Sequence, residues 1–155
     1  MFTARHPAGL IDTCLRERFR SVRKDCVLVS LYTDEDVVHL RRQVRERVVA
    51  LKLSLVDQTK LVTATSELAR NTIKHGGGGE VQLELLDDGL HEGVALLFVD
   101  GGPGIVDLAL ALTDGYTTGG GLGLGLSGSK RLVDEFEIDT RVEEGVAISI
   151  VKWKR

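Results

Sequence analysis

Two cysteines in 155 residues, Cys14 and Cys26, leave no room for a disulfide framework or a cysteine-based zinc site, since there is no CxxC pair and no dense spacing. A reducing compartment is the expectation. The four histidines, His6, His39, His75 and His91, are scattered and form no ligand pattern. The opening MFTARHPAG has no apolar signal core, and no apolar run is long enough to span a bilayer, so a cytoplasmic chain is expected, with no membrane partner. Charge is close to balanced, with 20 basic and 23 acidic side chains and a net charge of −3. No overall basic field therefore draws the chain onto nucleic acid. The local exception is Arg16, Arg18, Arg20, Arg23 and Lys24, which a short solvated helix face explains more simply than a docking surface. No internal repeat or low-complexity linker interrupts the chain. Its length and 43% hydrophobic content suit one domain with an ordinary core.

What the chain has in excess is glycine, and mostly in one place. Of 18 glycines, seven fall within residues 114–131 (DGYTTGGGLGLGLSGSKR): Gly115, Gly119, Gly120, Gly121, Gly123, Gly125 and Gly128. Such a stretch is costly to order, because glycine loses the most backbone freedom on folding. In return it lets backbone N–H groups approach a ligand closely. Leu122, Leu124 and Leu126 alternate with glycine, where a flexible linker would carry Ser or Glu. Leu132, Val133 and Phe136 predict a helix over residues 129–136. A glycine loop feeding a helix N-terminus is a phosphate-binding arrangement.

Elsewhere the pattern is alternately helical and extended. Residues 1–26 are weakly patterned, with one short helix expected around residues 11–22. Residues 26–31 (CVLVSL) predict a strand. Thr33 can cap the following helix, with Asp34, Glu35 and Asp36 in its first turn and Val37, Leu40, Val44, Val48 and Leu51 along one face. A second helix is predicted over residues 57–74, with an inner stripe of Leu61, Val62, Thr65, Leu68, Ala69, Thr72 and Ile73. Glu67 and Asn71, four apart, share a different face, either solvated or turned into a ligand cleft. Gly76–Gly79 ends this helix abruptly. Alternation at Val81, Leu83 and Leu85 predicts a strand with one wet face, and residues 94–99 (VALLFV) a buried central strand ending at Asp100. A short helix over residues 105–112 precedes the glycine stretch, and strands over 136–142 and 146–153 close the chain. Clustered strands predict an α+β fold, a two-layer α/β sandwich. Its sheet would be mixed or mostly antiparallel, with helices on one face.

Three short blocks carry the chemistry: Glu67-Leu68-Ala69-Arg70-Asn71 on a helix, Asp100-Gly101-Gly102-Pro103-Gly104 after a buried strand, and Gly121-Leu122-Gly123-Leu124-Gly125. Each is weak alone; together, in this order, they resemble the ATP-binding (Bergerat) fold shared by gyrase, the ninety-kilodalton heat-shock chaperones and histidine kinases. The blocks SELARN, DGGPGI, DGYTTGGGLGLGL and KRLVDEFEI, with the ending IVKWKR, are similar to RsbT-type serine/threonine kinases of the stressosome and anti-sigma-factor family. The likeness covers residues 27–155 and leaves residues 1–26 as an N-terminal extension.

The resemblance implies an ATP- and Mg²⁺-dependent kinase. Asn71 would hold Mg²⁺, and Glu67 would act as general base on the attacking hydroxyl. Asp100 would accept a hydrogen bond from the adenine amino group. Gly102, Gly104 and Ile105 would lie against the base and ribose. Gly121, Leu122, Gly123, Leu124 and Gly125 would wrap the phosphates, with Thr117 and Thr118 opening this lid. Lys74 could reach a phosphate, although an exposed helix lysine is the simpler account. The implied partners are a STAS-domain protein as substrate (an anti-sigma-factor antagonist or stressosome component) and a PP2C-type phosphatase or sigma factor. A homodimer stands open, since relatives of this fold often dimerise. The alternative is an ATP-binding regulatory module that sequesters a partner with little or no turnover.

One position departs from the wider fold. A Thr usually follows the glycine of the last hairpin and helps bind adenine; here Val146 follows Gly145, which predicts ATP binding weaker by roughly 0.5–1.5 kcal/mol. Gly123, Gly125 and Gly128 also spell GxGxxG, with Glu143 downstream. No strand leads into these glycines and no repeated βαβ unit follows, which speaks against a nicotinamide-dependent oxidoreductase.

Overall fold

The structure is a computed structural model, described over residues 24–114 and 125–155. The expected helix near residues 11–22 and most of the glycine stretch lie outside the described residues. Strand β1 (Lys24–Leu31) is followed by helices α1 (Asp34–Ala50) and α2 (Leu55–Lys74). Strands β2 (Gly79–Asp87) and β3 (Glu92–Asp100) form a hairpin. Short helices α3 (Leu108–Ala111) and α4 (Gly125–Arg131) precede the closing hairpin of β4 (Glu135–Arg141) and β5 (Gly145–Trp153).

Helix starts follow their caps. Thr33 accepts the Asp36 N–H at 3.2 Å while the Asp36 carboxylate accepts the Thr33 N–H at 3.0 Å, a reciprocal capping box. The N–H groups of Tyr32 and then Thr33 hold the Asp36 carboxyl below its ordinary range. Ser54 caps α2 by accepting the Asp57 N–H at 3.1 Å. The predicted inner stripe of α2 is buried at Leu61, Val62, Thr65, Leu68, Ala69 and Thr72 and partly buried at Ile73.

The sheet order is β1-β2-β3-β5-β4, and every described pairing is antiparallel, in line with the expected mixed or mostly antiparallel sheet. One core joins the inner strand face (Val29, Leu31, Val81, Leu83, Leu96, Phe98, Ile148, Ile150) to α1, α2 and Leu126 of α4. A second, small cluster of Leu86, Ala95 and Val151, with Trp153 against it, sits on the opposite face.

Three expectations are corrected. The helix over 105–112 shrinks to Leu108–Ala111, started by Asp107 accepting the Leu110 N–H at 2.9 Å, because Ile105 is held elsewhere. The helix placed at 129–136 instead occupies Gly125–Arg131. Leu132 closes a turn onto Ser129, and Asp134 donates its N–H to the Val151 carbonyl at 3.0 Å, which commits Phe136 to β4. Lastly, the predicted wet face of β2 is not wet throughout, for Glu84 and Leu86 on it are buried.

Candidate nucleotide site

The site is built where the C-terminal end of α2 meets the ends of β3 and the last hairpin. Gly79 lies opposite Asp100, Asp100 opposite Val146, and Val146 opposite Thr140. These positions share the inner, helix-bearing side, two residues beyond Val81, Phe98, Ile148 and Ile138 respectively.

Asp100 is buried, and its Oδ1 accepts the Gly102 N–H at 2.9 Å. Glycines close around it. A Cβ on Gly76 would stand 2.3 Å from the Asp100 Cγ, and one on Gly102 would stand 2.7 Å from the Gly76 Cα. The turn after α2 and the turn after β3 therefore touch backbone to backbone, with the carboxylate between them. Gly145, at φ +114, lies so close that a Cβ there would meet the Asp100 carbonyl.

The loop after Asp100 is fastened to the β4–β5 hairpin. Glu143 donates its N–H to the Pro103 carbonyl at 2.7 Å. Gly104, at φ +78, passes beneath the Arg141 carbonyl. Ile105 donates its N–H to the Thr140 hydroxyl at 2.9 Å, and that hydroxyl donates to the Gly145 carbonyl at 3.2 Å. Thr140 is one strand beyond Val146 and is fully engaged in this joint, so it does not replace the hydroxyl that Val146 lacks.

On α2, Glu67 is buried, with Arg70 at 3.6 Å, so a solvated face does not describe it. Asn71 is half-buried one turn later; its carbonyl accepts the N–H of His75 at 2.9 Å and of Gly76 at 3.3 Å. Its side-chain amide has no hydrogen bond among the described residues. Lys74 is exposed. Gly77 and Gly78, at φ +73 and +101, then turn the chain into β2. Helix α4 packs against α2 and begins at Gly125, at φ +65, so the end of the glycine stretch is set beside α2.

The structure thus brings together Asp100, Gly102, Gly104 and Ile105 with the end of the helix that carries Glu67, Asn71 and Lys74. Thr117, Thr118, Gly121, Leu122, Gly123 and Leu124 lie outside the described residues. Sequence reasoning missed Gly76, Thr140 and Gly145 as site-forming residues. The run of four glycines at 76–79 offered a signal for the first; a strand threonine offers none without the register. No strand leads into Gly125 among the described residues, and the sheet has no parallel pair, so the GxGxxG spelling has no dinucleotide-binding context. No described helix is long and apolar enough to cross a membrane.

Residues 56–154 match the family model described as histidine kinase-, DNA gyrase B- and HSP90-like ATPase. The chain is 40% identical over 127 residues to the serine/threonine-protein kinase RsbT of Bacillus subtilis (strain 168), covering 82% of this chain and 96% of that protein. It also resembles the crystal structure of the RsbU and RsbW domains of a Mycobacterium tuberculosis protein, with a TM-score of 0.57 and 21% identity. That match covers 85% of this chain and a third (33%) of the other, and it bears on the fold alone.

Proposed function

The chain belongs to the histidine kinase-, DNA gyrase B- and HSP90-like ATPase family, on its RsbT-type serine/threonine kinase branch, and from that membership we propose a Mg-ATP-dependent protein kinase of a bacterial partner-switching pathway. Its substrate is a STAS-domain protein, and it binds a PP2C-type phosphatase as a second partner. It works in the cytoplasm.

The observation that carries the nucleotide site is the seat of Asp100, a buried carboxylate held by the Gly102 N–H and backed by Gly76. An acceptor so placed selects the adenine amino group and rejects a guanine carbonyl. Gly102, Gly104 and Ile105 line the base and ribose, on a loop held by Thr140. Gly121, Leu122, Gly123, Leu124 and Gly125, with Thr117 and Thr118, cover the phosphates, and Lys74, exposed on the last turn of α2, adds a further phosphate contact in this reading. The uncommitted amide of Asn71 fits a hard cation. Among the described residues no three His, Cys, Asp or Glu side chains gather to hold a metal. This suits Mg²⁺, which is held mainly by phosphates and water and which supplies charge neutralisation at the transferring group. Glu67, one turn from Asn71, takes the proton of the attacking serine or threonine hydroxyl. Its Arg70 partner keeps it oriented. The rest of the catalysis is positioning.

Glu67→Gln tests this. It should bind ATP as the wild type does and transfer phosphate to the STAS-domain protein about 10²–10⁴-fold more slowly. Undiminished transfer would remove Glu67 from the mechanism. Partner binding without ATP dependence or transfer in the wild type would favour a sequestering module, a reading to which Val146 beside Asp100 lends weight.

A further inference from the structure

Helix α1 buries one face and leaves another with an unusual make-up. Val37, Leu40, Val44 and Val48 enter the core. On the outer side Val38, Arg41, Arg42, Arg45 and Val49 follow one another at helical spacing and, with Glu46, line one surface groove. Val38 is 62% exposed and Val49 55%. Valine is a weaker helix former than alanine, lysine or glutamate, so an open helix face gains nothing from it unless something covers it.

The charge on this face is unanswered. Arg41, Arg42 and Arg45 make no ion pair among the described residues, with Glu46 or with any other acid. The Arg42 guanidinium meets the His39 ring at 3.2 Å, and the Arg41 Nε is shut from water without a hydrogen-bond partner. Every basic residue of α1 is arginine, whose planar fork matches a carboxylate with two hydrogen bonds where lysine offers a point charge.

We propose that this face of α1 docks a helix of another protein, one that carries carboxylates between apolar side chains. Charge disfavours the nearer occupants. Two copies joined through this face would set the three arginines and one glutamate of each α1 against the same set, a like-charge contact. Residues 1–23 hold Arg5, Arg16, Arg18, Arg20 and Arg23 against Asp12 and Glu17, and residues 115–124 hold no acid, so neither segment complements a basic face. An acidic partner helix does. Its carboxylates meet the guanidinium groups, and its apolar residues cover Val38 and Val49. Because α1 packs on α2, such a partner sits one helix away from Glu67 and Asn71. The inference does not rest on the kinase reading, for α1 lies outside residues 56–154.

The test is a titration of the full-length, isotope-labelled chain with a synthetic helical peptide that has leucine toward both ends and glutamates between, read by amide NMR shifts. Shifts should centre on Val38, Arg42, Arg45 and Val49 and shrink as salt is raised. Arg42→Glu combined with Arg45→Glu should weaken binding about tenfold or more with the circular dichroism spectrum kept, and a lysine version of the peptide should bind this variant in place of the wild type. No shifts on α1, shifts in residues 1–23 alone, or equal binding of the acidic peptide by wild type and variant would overturn the proposal. So would the same α1 shifts on concentrating the protein by itself, which would assign the face to a second copy.

Discussion

Asp100 and Val146 are cross-strand partners, so the side chain after the hairpin glycine stands next to the carboxylate proposed to read adenine. In Val146 that neighbour offers only methyl groups. Val146→Thr restores a hydroxyl at the same shape, and should tighten ATP binding about two- to tenfold, the worth of one hydrogen bond. Calorimetric titration of both proteins checks it; unchanged affinity would mean that position 146 does not face the base. Gly76 acts on the same carboxylate from the other side. In Gly76→Ala the new methyl would occupy space held by the Asp100 side chain, at 2.3 Å from its Cγ. Asp100 must then swing off the Gly102 N–H. Loss of a hydrogen bond made by a charged group costs about 1.5–3 kcal/mol, so ATP binding should weaken about 10- to 100-fold with the circular dichroism spectrum kept.

Helix α2 is fixed at both ends, and the two fixings do different work. Its C-terminal turn presents Asn71 and touches Asp100 through Gly76. Near its N-terminus, Asp57 meets the buried ammonium of Lys152 at 3.2 Å, and Lys152 also meets Asp134 at 3.3 Å. Burial alone would raise the Asp134 carboxyl. The Trp153 N–H at 2.7 Å, the Arg155 guanidinium and the Lys152 ammonium outweigh that and hold it below its ordinary range. A depressed native pKa stabilises the fold above the unfolded value of about 4, and this contribution is lost as pH falls through the native value. Lys152→Met removes a cation that serves two carboxylates. It should destabilise the protein by about 3–5 kcal/mol in urea and move the acid-unfolding edge to higher pH. An unshifted edge would separate Asp134 from acid stability.

Across the whole molecule, what was legible in the sequence were features written in a single segment. The cap at Thr33, the α2 stripe and the buried run of β3 each declare themselves within a few residues. The family was also legible, because the three blocks around Glu67–Asn71, Asp100–Gly104 and the glycine stretch carry its resemblance, and the family match agrees with that reading. Contacts that exist only through register were not. Thr140 meets Ile105 because β4 and the loop after β3 lie side by side, and nothing in either segment announces the other. The start of α4 was hidden because alternating glycine and leucine reads as loop, while Leu126 in fact enters the core. The wet face expected of β2 failed since alternation reports polarity and not what covers it.

The central claim is a nucleotide site organised around Asp100. ATP titration by calorimetry, with and without Mg²⁺, on wild type and Asp100→Asn tests it most directly. The account predicts Mg²⁺-dependent binding in the wild type and its loss in the mutant, whose amide presents a donor where the adenine amino group needs an acceptor. Equal binding by both proteins, or none by the wild type, would contradict it.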